Sequence, residues 1–281
     1  MHAIGFGRGG VCRVVRSAAD RVFLPTKNLL EQVGDMMILT GKTLVSALRP
    51  PYPYGTEFVQ QFLFMLRLCW LPLTISTIAF GYGAPGLQAG NFLVLFGAID
   101  RLGGFFVLAS IREFAPFVTA IIMAGVGGTA ITADLGARKI REELDALQVL
   151  GEDPIKNLVV PRFLALMTVT GLFNIYALIF GIFGGVLATL TFDAPLGPFF
   201  ATLLNNASTT DLWGSVVKTT LFGAIIAIVS CYKGMTASGG AEGVGRAVNQ
   251  GVVIEFLGIF AFNYVFTQTL LATHPEISVI K

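Results

Sequence analysis

Residues 125–162 read GVGGTAITADLGARKIREELDALQVLGEDPIKNLVVPR, and this stretch decides the fold. Eleven charged residues lie between Asp134 and Arg162, whereas the sequence on either side is apolar and rich in small residues. Long apolar flanks are typical of membrane-spanning helices. The stretch therefore predicts a short polar helix that is held between two membrane spans and projects out of the lipid. Residues 134–162 are called the polar connection below.

The composition indicates an all-α integral membrane protein. Hydrophobic residues make up 54% of the 281 residues and charged residues 13%, whereas a soluble domain carries about a quarter charged residues. The apolar runs are continuous rather than alternating, which favours helices over a β-barrel. The net charge of +2 gives no support to a nucleic-acid partner.

Five apolar segments between residues 58 and 272 predict five transmembrane helices, because each approaches the roughly 20 residues that a span needs. They cover residues 58–98, 105–133, 163–192, 216–235 and 251–272. Glycine and proline interrupt the first segment, which predicts a broken or tilted helix next to protein or a cavity. The third segment contains no charged residue.

The N-terminal region, residues 1–57, is basic. Between residues 28 and 48 its apolar positions recur at helical spacing, which predicts an amphipathic helix on the membrane surface. The alternative is a partly ordered cytoplasmic tail. Residues 273–281 are predicted to form an external C-terminal tail.

The distribution of lysine and arginine predicts the orientation. Residues 1–57 carry seven of them and the polar connection carries five, but residues 193–213 carry none. Cytoplasmic segments are enriched in these residues. We therefore predict a cytoplasmic N-terminus, a cytoplasmic polar connection and an external C-terminus in the inner (cytoplasmic) membrane.

Two glycine patterns look like nucleotide sites, but neither has the right context. Residues 5–10 fit a dinucleotide fingerprint, yet no strand precedes them and no βαβ unit follows. Residues 40–43 read TGKT like the end of a phosphate loop, but Met36 stands where its first glycine belongs. The three cysteines show neither a disulfide framework nor metal-ligand spacing. We expect no cofactor in this chain.

Within the polar connection, residues 137–151 predict one helix of about four turns. An apolar stripe of period three to four runs along it, formed by Ile140, Leu144, Leu147 and Leu150. Three pairs of oppositely charged residues are spaced four positions apart, namely Arg138–Glu142, Lys139–Glu143 and Arg141–Asp145. The base comes first in each pair, which is the weaker order in a helix. An anionic membrane surface would repel the acidic residues Glu142, Glu143 and Asp145. We therefore favour a helix that binds a basic or polar surface of a partner protein. The alternative is a helix that rests on lipid.

One charged pair lies inside the second predicted span. Arg112 and Glu113 are adjacent in an apolar segment, where charge is costly and usually faces protein or water. We predict a structural ion pair near the outer interface; the alternative is a role in transport.

The chain resembles the MlaE/YrbE permeases, the membrane subunits of MCE-type ABC lipid transporters. The resemblance covers most of the chain from about residue 60. It is carried by Arg112-Glu113-x-x-Pro116, by Ala124-Gly125-x-x-Gly128-Thr-Ala-x-Thr132-Ala-Asp134-Leu-Gly136, by Glu142-Glu143-x-Asp145-Ala146-Leu147, by Asp153-Pro154 and by Val160-Pro161-Arg162. The run from Ala133 to Leu147 looks like the actinobacterial YrbE branch. Val126 stands where many relatives carry an arginine, which puts any role of that arginine in doubt here.

The resemblance implies five spans, an interfacial N-terminal helix and a cytoplasmic coupling helix between spans two and three. It implies a second, different YrbE-type permease, a cytoplasmic ABC ATPase dimer that holds ATP and Mg²⁺, and MCE-domain proteins outside. The residues predicted to couple to the ATPase are Arg138, Arg141, Glu142, Glu143, Asp145 and Leu147. The substrates implied are long apolar lipids, such as fatty acids, mycolic acids or sterols, and the implied direction is import.

We place the lipid cavity at the interface with the partner permease, bounded by the first, third and fifth spans. The residues predicted to line it are Ile78, Ala79, Ile182, Phe256 and Phe260. The alternative for each aromatic residue is that it faces bilayer lipid or fills the core. Two other functions remain open, an ion-coupled secondary carrier and a non-transporting scaffold of a cell-envelope complex.

Overall fold

The computed structural model describes residues 30–50, 52 and 54–274, and all regular elements in that part of the chain are helical. The glycine pattern at residues 5–10 and most of the predicted C-terminal tail lie outside the described residues. The chain divides into two units, Met1–Lys42 and Thr43–Lys281.

Helix α1 covers residues 30–48, which confirms a helix in the N-terminal region. Leu30, Val33 and Met37 follow helical spacing, and their side chains are exposed. The position of this helix on a membrane surface stays a prediction. The sequence TGKT at residues 40–43 lies inside α1. It therefore lacks the loop before a helix that a phosphate loop requires.

Five helical segments among the described residues are long and apolar enough to cross a membrane, as the sequence predicted. Span one is Gly55–Leu95, span two is Ile99–Ile140, span three is Ile155–Thr191, span four is Thr209–Met235 and span five is Gly240–Thr273. We call the end of this bundle that carries the polar connection the polar end, and the other the opposite end.

Span one contains the predicted interruption, in the form of a wide helical turn. It consists of α2 (Gly55–Gly81), a π-helical segment (Tyr82–Gln88) and α3 (Ala89–Leu95). Pro85 lies in the π segment. Because proline has no N–H to donate and its ring crowds the preceding turn, a wider turn keeps the helix continuous around it.

Span two is the most segmented span and continues further than predicted. After the 3₁₀ turn Ile99–Arg101 it consists of α4 (Leu102–Phe106), a π segment (Val107–Phe114), α5 (Ala115–Ile122), a π segment (Met123–Gly128) and α6 (Thr129–Ile140). The first π segment contains the charged residues Arg112 and Glu113, and the second contains three glycines, Gly125, Gly127 and Gly128. Such π turns often mark functional positions in helices.

The remaining elements begin within the polar connection. They are α7 (Glu143–Val149), a π segment (Ile155–Val159), α8 (Val160–Thr191), α9 (Leu196–Asn206), α10 (Thr209–Met235) and α11 (Gly240–Thr273). Helices α10 and α11 begin earlier than predicted. A capping box of Ser208 and Asp211 starts α10, since the two side chains satisfy each other's backbone N–H groups.

Span two lies centrally and contacts the other four spans, while α8 packs between α2 and α10, and α11 packs on α10 and α6. Spans one and five are the least covered: 22% and 17% of the residues in their most apolar stretches are buried, against 56% in the other three. The bundle therefore leaves two of its five spans open to lipid or to another protein.

Spans one and three approach at backbone distance. A Cβ added at Gly184 of α8 would lie 2.5 Å from the Ile78 carbonyl oxygen, and one added at Gly81 would meet the Gly181 carbonyl. Small residues allow such approach in membranes, where van der Waals packing rather than the hydrophobic effect holds helices together. The Thr74 and Tyr176 hydroxyls are 2.6 Å apart across the same contact.

Candidate functional site

The polar connection contains two helices rather than the single helix predicted for residues 137–151. Helix α6 ends at Ile140, and Glu142 adopts a left-handed backbone conformation with φ 61° before α7 begins at Glu143. Left-handed backbone is uncommon for residues other than glycine and ends a helix. The prediction of one continuous helix was therefore wrong.

The charge order gives the physical reason for this break. Arg138 and Lys139 lie in the last turn of α6, and Glu143 and Asp145 lie in the first turn of α7. Bases favour a helix C-terminus and acids favour a helix N-terminus, because of the helix dipole. A base-then-acid order is unfavourable within one helix but favourable where one helix ends and the next begins.

The break also replaces the predicted ion pairs. Lys139 Nζ lies 2.9 Å from Asp145 Oδ1, Arg141 Nε lies 2.7 Å from Glu143 Oε1, and Arg138 Nε lies 3.2 Å from Asp134 Oδ1. The first two pairs cross the break between α6 and α7. Pairs this exposed contribute at most about 1 kcal/mol each, so they hold the angle between the two helices only weakly.

Helix α7 presents an apolar tip. Leu144 is buried and anchors α7, Leu147 is half-buried, and the next two apolar residues are exposed, Val149 by 88% and Leu150 by 77%. The predicted stripe is thus split, since Leu144 points inward and Leu150 outward. We call Val149 and Leu150 the α7 tip. Exposed apolar side chains next to charged ones are typical of a protein contact.

The predicted coupling residues lie at the end of α6, at the break and on α7. Arg141, Glu142 and Asp145 are exposed. Arg138, Glu143 and Leu147 are half-buried. The sequence pattern did not single out Val149, because this residue lies outside the period of the apolar stripe.

At the base of the polar connection lies a buried arginine that sequence reasoning did not assign. Arg162 is 1% exposed, and its Nη2 lies 2.7 Å from Asp134 Oδ2. Its Nη1 donates to the Leu158 carbonyl oxygen at 2.9 Å. An apolar surrounding makes such a charge costly unless it is paired, so this arginine has a defined task in the fold.

Nearer the opposite end, Arg112 and Glu113 pair with span four rather than with each other. Arg112 Nε lies 2.7 Å from Asp211 Oδ1, and Lys218 Nζ lies 3.3 Å from Glu113 Oε1. Asn263 and Thr267 of span five also donate to Glu113. The predicted internal pair is therefore wrong in its partners, because adjacent residues in a helix do not face each other and these two meet charged groups of span four instead.

These charges line a cavity of about 200 Å³ between spans two, four and five. Its walls combine Arg112, Asp211 and Lys218 with the apolar side chains of Phe266 and Leu270. A cavity of this size and polarity has room for several water molecules. Its lining carries two basic residues, Arg112 and Lys218, and two acidic residues, Glu113 and Asp211.

Besides Asp211, a second buried carboxyl group, that of Glu255, lies near the middle of span five. Glu255 is 1% exposed, its Oε1 lies 2.5 Å from the Ser230 hydroxyl, and its Oε2 has no hydrogen-bond partner among the described residues. The carboxyl group fits against Gly128, where any Cβ would lie within 3.0 Å of it. This contact joins spans two, four and five.

The predicted lipid-cavity residues fall into two groups. Ile78 and Ala79 lie on α2 and Ile182 on α8, which pack together, whereas Phe256 and Phe260 lie on α11, whose main neighbours are α10 and α6. Span two lies between the two groups. Its Phe114 ring contacts Phe80 of α2 at 5.9 Å, and its Phe117 ring contacts Phe260 at 4.7 Å.

These aromatic contacts outline an apolar face with spans one and five at its sides and span two between them. Phe80 and Phe260 are 45% and 56% exposed on it. Within the described residues, no group of three or more histidine, cysteine, aspartate or glutamate side chains is placed to hold a metal ion.

Five spans, joined in part by the polar connection, and an uncovered apolar face are the features of a multi-pass membrane protein. The chain belongs to the MlaE permease family, since the family model described as Permease MlaE matches residues 58–269.

Relatives agree with this assignment. A probable ABC transporter permease protein of Rickettsia typhi is 31% identical over 90% of this chain and 97% of its own length. One of Synechocystis is 36% identical over 63% of this chain and 68% of its own. The chloroplastic protein TRIGALACTOSYLDIACYLGLYCEROL 1 of Arabidopsis thaliana is 32% identical over 72% of this chain and 57% of its own length. The chain is thus an ABC transporter permease subunit, and the ATPase is a separate chain.

Proposed function

We propose that this chain is the permease subunit of an ATP-driven MCE-type lipid transporter in the inner (cytoplasmic) membrane. It moves long apolar lipids, such as fatty acids, mycolic acids or sterols, in the import direction. The actinobacterial YrbE branch, to which the run from Ala133 to Leu147 is similar, supports the direction and the substrate class. The name of the Arabidopsis relative, which contains that of a galactolipid, supports a lipid as cargo.

The observation that carries the proposal is the α7 tip. Val149 and Leu150 project from the end of a short helix that the buried Leu144 anchors. Glu143 and Asp145 lie on the same short helix. The α7 tip would insert into an apolar groove on a cytoplasmic ATPase dimer that binds ATP and Mg²⁺. Basic residues at the edge of that groove would pair with Glu143 and Asp145. Lysine and arginine are concentrated in residues 1–57 and in the polar connection and are absent from residues 193–213. This distribution supports a cytoplasmic position for the surface.

The uncovered faces of spans one and five support a second permease subunit. A heterodimer with a second YrbE-type chain would cover them and enclose a lipid path lined by residues such as Ala79 and Phe260. MCE-domain proteins would meet the bundle at the external side, where residues 193–213 carry no lysine or arginine.

The test is reconstitution of the whole complex with Glu143→Arg. Glu143 pairs with Arg141 on this surface, and the reversed charge should detach the ATPase or uncouple hydrolysis from lipid movement while membrane insertion stays normal. Normal co-purification together with normal transport would contradict the proposal. Lipid movement that needs an ion gradient and no ATP would favour the secondary carrier, and normal assembly without any lipid movement would favour the scaffold.

A further inference from the structure

Arg162 lies where the chain returns from the polar connection into span three. Its guanidinium group contacts spans one and two and the preceding turn of its own span. Nη2 lies 2.7 Å from Asp134 Oδ2, Nη1 donates to the Leu158 carbonyl oxygen at 2.9 Å, and Nη2 lies 3.6 Å from Glu57 Oε1. One side chain therefore touches both ends of the polar connection and the start of span one.

The positions of these partners give the contact its meaning. Asp134 lies in α6, six residues before that helix ends at the break. Leu158 lies in the π segment through which the chain re-enters the bundle. Glu57 lies in the first turn of α2. Any displacement of α7 reaches the bundle through the two ends that Arg162 holds.

The geometry is rigid on the arginine side, whereas the Asp134 side chain is 42% exposed. The Arg162 side chain has no exposed surface. A guanidinium group presents its N–H donors in a fixed plane, unlike the single flexible ammonium of lysine. Two of its donors point in different directions, one to a side chain and one to a backbone carbonyl, so neither contact can shift without the other.

We propose that Arg162 is a positioning residue that fixes the two ends of the polar connection to each other and to span one. When the ATPase displaces α7, the polar end of span two then moves as one body with spans one and three. This inference rests on the proposed function, because it requires that α7 receives the movement from the ATPase. A purely structural ion pair, by contrast, would affect the amount of folded complex and leave coupling unchanged.

The experiment uses the full complex in liposomes and measures two rates, ATP hydrolysis and lipid movement, together with the amount of assembled complex. For Arg162→Gln and for Asp134→Asn we expect hydrolysis within twofold of the unmodified protein and a fall of at least fivefold in lipid moved per ATP. The loss in the double variant should be smaller than the combined losses of the two single variants, because both single variants remove the contact between Arg162 and Asp134.

Arg162→Lys separates the two donors. Lysine can keep its charge next to Asp134, but it cannot reach Asp134 and the Leu158 carbonyl in the same planar geometry, so we expect an intermediate loss. Lys156→Gln is the matched control, since it removes a positive charge from the same returning segment two residues before Leu158; lipid moved per ATP should stay within twofold.

A distance measurement covers the case in which Arg162→Gln assembles poorly, because it can use Arg162→Lys. Spin labels at Ile140 at the end of α6 and Thr56 at the start of span one, both exposed, should keep a constant distance between the ATP-bound and nucleotide-free complex. In Arg162→Lys that distance should change or broaden with nucleotide. Unchanged lipid per ATP in all three variants, or a constant label distance in Arg162→Lys, would overturn the inference. Absence of ATP-driven lipid movement in the unmodified complex would instead overturn the proposed function.

Discussion

Arg112 of span two and Asp211 of span four form an ion pair with 2.7 Å between Nε and Oδ1, and the Asp211 side chain has no exposed surface. Asp211 also accepts from the Ser208 hydroxyl at 2.8 Å and from the Ser208 backbone N–H. One carboxylate thus joins two spans and starts the helix that carries it.

The first prediction separates these two tasks. Asp211→Ala should lower the free energy of unfolding by about 3–5 kcal/mol, because it leaves the nearly buried Arg112 unpaired. Ser208→Ala removes a cap and should cost about 1 kcal/mol. The measurement is the thermal unfolding midpoint in detergent. If both variants unfold at the same temperature, the ion pair between the spans contributes nothing measurable.

The second prediction concerns the contact between spans one and three. Gly184→Ala should destabilise the fold, because its Cβ would lie 2.5 Å from the Ile78 carbonyl oxygen and 2.7 Å from the Tyr82 nitrogen. Gly181→Ala is the matched control in the same helix, since an added Cβ there meets nothing within 4 Å. Alanine is favoured over glycine inside a helix by roughly 0.5–1 kcal/mol, so the control should be neutral or stabilising. A lower unfolding midpoint for Gly181→Ala than for Gly184→Ala would refute the described packing.

The third prediction tests the α7 tip. Leu150→Asp should weaken binding of the ATPase at least tenfold, because burying a leucine side chain contributes about 1.5–3 kcal/mol. Leu204→Asp is matched in chemistry and exposure, with Leu204 70% exposed on α9, and it should leave co-purification of the ATPase unchanged. Equal recovery of the ATPase with both variants would remove the tip from the contact.

A fourth prediction fixes the orientation. Single cysteines at Asn205 and Gln148, both exposed, should react oppositely with an impermeant thiol reagent on intact cells, with labelling at Asn205 and none at Gln148. Native Cys69 and Cys231 are buried, and Cys12→Ser removes the remaining thiol. Labelling at Gln148 alone would invert the proposed topology.

The fifth prediction places the lipid. Photo-crosslinkers at Ile78, Ile182 and Phe260 should capture substrate lipid in preference to bulk lipid, and Ala79→Trp should reduce lipid uptake without preventing assembly. The reference position is Ile225 of span four, which is half-buried and packs toward span five near Gly258. Capture at Ile225 and at none of the first three would exclude the proposed lipid path.

Sequence patterns predicted what depends on local composition. Apolar segments of span length gave the five spans, and the Pro85 region gave the interruption of span one. The break at Glu142 escaped prediction because the leucine period continues across it and glutamate is not a typical left-handed residue. The base-then-acid order from Arg138 to Asp145 was its signal, although it first indicated only a weak helix.

Contacts between distant residues could not be predicted from one sequence. Arg112 and Asp211 are 99 residues apart, and Arg162 and Asp134 are 28 apart. Adjacent charges such as Arg112 and Glu113 suggest a local pair, but adjacent residues in a helix do not face each other, and both residues pair with span four. Which span covers which face is decided by packing, and no local pattern records it.

The backbone contact between spans one and three has a consequence for biosynthesis. Its partners lie far apart in sequence, since Thr74 and Tyr176 are separated by 102 residues. A ribosome that adds about 5–20 residues per second leaves span one in the bilayer for several seconds before span three arrives. During that time the surface of span one around Gly81, which later packs on span three, has no span three to cover it. A nascent chain arrested before span three should therefore be a substrate for membrane quality-control proteases, and the arrival of span three should end that vulnerability.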